Sequence, residues 1–121
     1  MTEEDHLQEA CVTWFRLQNK DKIIFAIPKG GKRNIYTGMV LKRTGVLKGV
    51  PDLFIPHATN AYNGLFIEIK TKKGVIRPEQ KEMLYKLKSE GYAAFVVRSS
   101  DDFIELVKLY FKGEKIDETR S

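Results

Sequence analysis

Apolar residues recur at helical spacing near the start of the chain: Leu7, Ala10, Cys11, Trp14 and Leu17 predict an amphipathic helix over residues 3–19. Residues 23–27, a β-branched and aromatic run stopped by Pro28, predict a short buried strand. A Gly- and Lys-rich loop covers residues 29–33. Asn34 is then placed to cap a second helix carrying Ile35, Met39 and Val40 and ending near Gly45. Two strands follow, Leu53–Ile55 and residues 65–70, with the turn-forming stretch 58–64 between them as a hairpin. Pro78 suits the first turn of a helix that presents Met83, Leu84 and Leu87 and stops at Gly91. Residues 93–98 predict a last strand. Ser99 with Asp102 three residues on opens a final helix with Phe103, Ile104, Leu106, Val107 and Tyr110 inward.

The predicted order is αβαββαβα, with no repeat or low-complexity segment. A strand that returns after an intervening helix lies parallel to its neighbour, so the expected fold class is α/β, a mixed central sheet flanked by helices on both faces. Residues 1–112 form one expected domain, and residues 113–121 a polar, frayed C-terminal tail.

Composition narrows the classes. At 121 residues there is room for one core, and 31% charged residues argue against a membrane span. The single cysteine, Cys11, excludes an internal disulfide and a cysteine zinc site. The acidic start (Glu3, Glu4, Asp5) differs from a secretory signal, so a cytoplasmic location is expected. A net charge of +5 suits a polyanionic partner, although it equally suits solubility alone.

Candidate chemistry sits on the third strand. The pleat sends Leu65, Ile67 and Ile69 to one face and Phe66, Glu68 and Lys70 to the other. Alone, Glu-x-Lys reads most simply as a solvated ion pair. A hairpin, however, brings Asp52 beside Glu68, and Asp has low strand propensity and is costly to bury without a partner. A divalent cation would relieve that cost, because Mg²⁺ takes one or two carboxylates while keeping waters and substrate phosphate oxygens. Lys70 would then orient the nucleophile or stabilise charge developing on the phosphate, which supplies the parts for phosphodiester hydrolysis.

Pro51-Asp52 followed by Glu68-Ile69-Lys70 resembles the PD-(D/E)xK nuclease signature. Gly49-Val50-Pro51-Asp52-Leu53, then Arg77-Pro78-Glu79-Gln80 opening a helix, then Gly91 and Val96-Val97-Arg98, is similar to the VRR-NUC branch of that superfamily. Val97 departs from the Val-Arg-Arg that names the branch, leaving Arg98 as the counterpart of its last residue. The resemblance implies a Mg²⁺- or Mn²⁺-dependent endonuclease acting on DNA, with Asp52, Glu68 and the backbone carbonyl of Ile69 as metal ligands and Lys70 as catalytic lysine. Stand-alone phage and bacterial members resemble Holliday junction resolvases and act as homodimers, which makes branched DNA the expected substrate. A nickase or restriction-type enzyme on duplex DNA, and a non-catalytic DNA-binding module, stay open beside it.

Three further groups attach to this site. Gln80 lies one turn before Met83 and Leu84, so its amide is expected to face the sheet and support the catalytic group, or else to bond free N–H groups at the helix start. Glu4 falls near the apolar stripe of the first helix; related nucleases often place a first-helix glutamate at the metal, while an acid favouring the helix dipole is the alternative. Lys29, Lys32, Arg33, Lys42, Arg43, Lys48, Lys72 and Lys73 surround these elements as a candidate DNA-binding track. Gly30-Gly31-Lys32 is no Walker loop, since Ala26 replaces its first glycine and no Ser or Thr follows the lysine.

Overall fold

The structure, a computed structural model, describes residues 1–29 and 35–120, without the side chains of Ile35 and Tyr36. The elements run α1 (Glu3–Gln18), β1 (Phe25–Ala26), α2 (Ile35–Arg43), β2 (Leu53–Ile55), β3 (Leu65–Ile69), α3 (Pro78–Ser89), β4 (Ala93–Val97) and α4 (Ser100–Phe111). The predicted order therefore stands, as does the α/β fold class. One four-stranded sheet has the order β1-β2-β3-β4. The first two pairings are antiparallel and β3 pairs β4 in parallel, with α3 as the crossover between them.

Alternation along the strands gives the sheet two unlike faces. Leu53, Ile55, Leu65, Ile67, Ile69, Ala93, Phe95 and Val97 share the face covered by Cys11 and Phe15 of α1 and by Phe103, Leu106, Val107 and Tyr110 of α4. Each fully buried Leu, Ile or Phe there contributes roughly 1.5–3 kcal/mol, so this face supplies most of the hydrophobic stabilisation. The opposite face is thinner: Leu84 of α3 packs on Ala94 and Val96. It is on this side that polar groups are accommodated.

Helix ends follow the local chemistry. Gly45 (φ 111°) and Gly91 (φ 88°) adopt left-handed conformations after α2 and α3. In each the residue beyond the glycine donates back to the last turn, Val46 N to Leu41 O at 2.9 Å and Tyr92 N to Leu87 O at 3.1 Å. Ser99 Oγ accepts from Asp102 N at 3.1 Å as expected. At α1 an unforeseen capping box pairs Thr2 with Asp5.

Several expectations need correction. The strand placed at residues 23–27 is reduced to Phe25–Ala26, and only Ile24 is buried, with Ile23 62% exposed. As an edge strand it has a neighbour on one side only, and Pro28 follows it. The inward side of α1 is turned relative to the predicted stripe: Cys11 and Phe15 are fully buried, whereas Leu17 is 65% exposed. In α2 Met39 and Val40 face solvent, while the expected cap, Asn34, lies outside the described residues. Residues 113–120 are docked rather than frayed. Ile116 is buried, its N–H donates to Tyr62 Oη at 3.0 Å, and Arg120 Nη2 donates to Asp102 Oδ1 at 2.6 Å. One apolar residue in a polar tail thus sufficed to anchor it. Among the described residues no helix is long and apolar enough to cross a membrane.

Candidate active site

The site forms where β2 and β3 begin and end beside the start of α3. Gly49 (φ 86°) lies so close to α3 that a Cβ there would stand 2.4 Å from Glu79 O, and no side chain fits. This contact seats residues 49–52 against the first turn of α3. Asp52 is then tied by its backbone, donating to Ile67 O at 3.0 Å and accepting from Ile27 N at 2.8 Å. One carboxylate oxygen, Oδ2, accepts from Ile69 N at 2.7 Å. The other, Oδ1, lies 3.3 Å from Lys29 Nζ.

Glu68 comes from β3, on the side away from the main core. Its Oε2 accepts from Gln80 Nε2 at 3.1 Å and lies 3.9 Å from Lys70 Nζ. Its Oε1 is buried without a hydrogen-bond partner, 3.8 Å from Lys29 Nζ. Burial, then the negative charge of Asp52, push the Glu68 carboxyl up to about 7, against the opposing pull of Lys29 and Lys70. Asp52, Glu68, Lys70 and Gln80 are therefore assembled in one place by elements far apart in sequence.

Gln80 combines the two roles open to it. Its Oε1 accepts from Arg77 N at 2.9 Å, closing the start of α3, while its Nε2 orients Glu68. Cations fare unevenly. Lys29 enters the carboxylate cluster itself. Lys42 and Lys48 border a groove between α2 and α3 together with Lys29, Arg77 and Lys86. Arg43, Lys72 and Lys73 are exposed, and Lys32 and Arg33 lie outside the described residues. Glu4 is half-buried on α1, and the structure does not gather it into a cluster with the two acids.

Arg98 has a position that its sequence context left open. At the end of β4, its Nη1 donates to Thr71 O and Gly74 O, both at 2.7 Å, and approaches Lys72 O at 3.3 Å. One guanidinium thus fixes the turn that follows Lys70. Only a long cation immediately after the strand could have signalled it.

The donors present fit a divalent cation of the hard kind. Two carboxylates converge, and a buried carboxylate oxygen lacks a donor. Among the described residues no three His, Cys, Asp or Glu side chains come together as a metal cluster, so the set suits Mg²⁺ or Mn²⁺ rather than structural zinc.

Two acids and an amine held at the ends of the two inner strands of a mixed α/β sheet are the layout of a nuclease-type site. Comparison with known proteins agrees. The family model of the VRR-NUC domain matches residues 1–101, and the chain belongs to this family. A solved structure named a VRR_NUC domain protein is 31% identical and superposes with a TM-score of 0.78, over 100% of this chain and 98% of the other. No curated protein matches the chain. Membership implies a nuclease-type function in DNA processing.

Proposed function

We propose that the chain is a Mg²⁺- or Mn²⁺-dependent endonuclease that hydrolyses phosphodiester bonds in branched DNA such as Holliday junctions, acting in the cytoplasm as a homodimer. The observation that carries this is the convergence of Asp52 and Glu68 from adjoining strands, with Lys70 on the same side.

In this scheme Asp52, Glu68 and the Ile69 carbonyl hold the cation. When bound, the ion polarises the scissile phosphate and makes water more acidic. The Ile69 N–H fixes one oxygen of Asp52, and Gln80 fixes one oxygen of Glu68, so both carboxylates are held in orientation before a cation arrives. Lys70, 6% exposed, is surrounded by protein, where its positive charge acts on the phosphate with little screening. The water oxygen gives up a proton to solvent and forms a bond to phosphorus as the bond to one sugar oxygen breaks, and the departing oxygen takes up a proton from solvent. Lys42 and Lys48 lie along the groove as contacts for the DNA backbone. A pair of copies related by a two-fold axis would supply the two sites that symmetric cuts across a junction need.

The test is cleavage of four-way junctions, flaps, nicked duplex and linear duplex with either metal. Junction cutting that Lys70→Ala abolishes, with DNA binding largely retained, is the expected result. Preference for linear duplex would instead identify a nickase or restriction-type enzyme, and binding without cutting a non-catalytic module.

A further inference from the structure

We propose that Lys29 is a built-in competitor for the cation site, its ammonium occupying the two carboxylate oxygens that a divalent ion requires. The proposal rests on the reading of Asp52 and Glu68 as metal ligands. Each carboxylate has one oxygen committed elsewhere: Asp52 Oδ2 to Ile69 N, and Glu68 Oε2 to Gln80. The two uncommitted oxygens, Asp52 Oδ1 and Glu68 Oε1, are the ones that Lys29 Nζ approaches, at 3.3 and 3.8 Å.

Those distances exceed the 2.7–2.9 Å of a good charge-assisted hydrogen bond. Lys29 therefore balances charge without satisfying Glu68 Oε1, which keeps no hydrogen-bond partner. An ion with short oxygen bonds would satisfy both oxygens, and the ammonium and the ion cannot share the position. The two lysines at the site differ in their freedom to leave. Lys70 is 8% exposed along its side chain, whereas Lys29 is 41% exposed and follows Pro28 beyond the end of the edge strand β1. Lys29 can withdraw into the adjoining groove, where its charge would meet an arriving phosphate. Its cost to metal binding would thus be returned in substrate binding.

Removing the ammonium should tighten metal binding and weaken the protein without metal. Mn²⁺ titration in the absence of DNA, by calorimetry or electron paramagnetic resonance, tests the first. Lys29→Met and Lys29→Gln should each bind Mn²⁺ about fivefold more tightly than the wild type, the factor set by roughly 1 kcal/mol for a part-exposed pair. Lys29→Arg keeps the charge and should stay near the wild-type affinity. Lys108→Met, which removes a charge from α4 on the other side of the sheet, controls for net charge. In chelator the two neutral Lys29 variants should melt below the wild type, and saturating Mn²⁺ should close that gap. Unchanged or weaker Mn²⁺ affinity in both neutral variants overturns the competition, as does an equal gain in Lys108→Met. If the wild type binds Mn²⁺ and Asp52→Asn does not, while the Lys29 variants match the wild type, this inference alone fails. If wild type and Lys29 variants all bind none, the metal-dependent nuclease reading fails with it.

Discussion

Glu68→Gln should stabilise the protein in the absence of divalent metal, and only above mildly acidic pH. The folded carboxyl titrates near 7 instead of 4.5 because it is buried beside Asp52. The folded state then holds a proton more tightly than the unfolded chain, so stability falls as pH rises through the window between those two values and stays low above it. At 1.36 kcal/mol per pKa unit the full effect is about 3 kcal/mol, which for a domain of this size corresponds to a melting shift of roughly 10 °C. Glutamine keeps an oxygen for the Gln80 amide and removes the charge. In chelator, thermal unfolding of wild type and Glu68→Gln should coincide near pH 4 and diverge in favour of the variant by pH 8; with Mg²⁺ supplied, the variant should lose cleavage. Parallel curves from pH 4 to 8, or a wild type that gains stability across that range relative to the variant, would refute the electrostatic account of Glu68.

Other substitutions separate the parts of the site. Gly49→Ala forces a side chain into Glu79 O at a positive φ, and should lower stability by roughly 2–4 kcal/mol in urea unfolding, with reduced cleavage as α3 moves Gln80 off Glu68. Arg98→Ala leaves the carbonyls of Thr71 and Gly74 without their shared donor; a stability loss of roughly 1–3 kcal/mol and a fall in kcat larger than any change in KM are expected from steady-state kinetics. Ile116→Ala should cost roughly 2–4 kcal/mol by urea midpoint, where a frayed tail would show no change.

Much of the site was legible because it rests on local rules. The alternation in β3 put Glu68 and Lys70 on one side, the hairpin brought Asp52 to them, and Pro78 and Gly91 bounded the helix that delivers Gln80. Gly49 was visible only as part of a motif, since its role is a contact with a helix thirty residues on. What escaped was set by tertiary packing. The hydrophobicity of residues 23–27 promised a buried strand, but its place at the sheet edge leaves Ile23 and Phe25 exposed. Met39 and Val40 are apolar positions of α2, yet among the described residues they join no core cluster, and Phe15 rather than Leu17 turns inward because α4 lies to that side of α1. Arg98 and Lys29 act through backbone carbonyls and carboxylates distant in sequence, which no spacing rule reaches.

Whether Asp52 and Glu68 together hold one cation can be read from anomalous diffraction by crystals soaked in Mn²⁺. A manganese peak between Asp52 Oδ1 and Glu68 Oε1, lost in Asp52→Asn, is the expected result. A peak at another position, or none in crystals that leave the site open to solvent, would mean that the two carboxylates do not form a cation site.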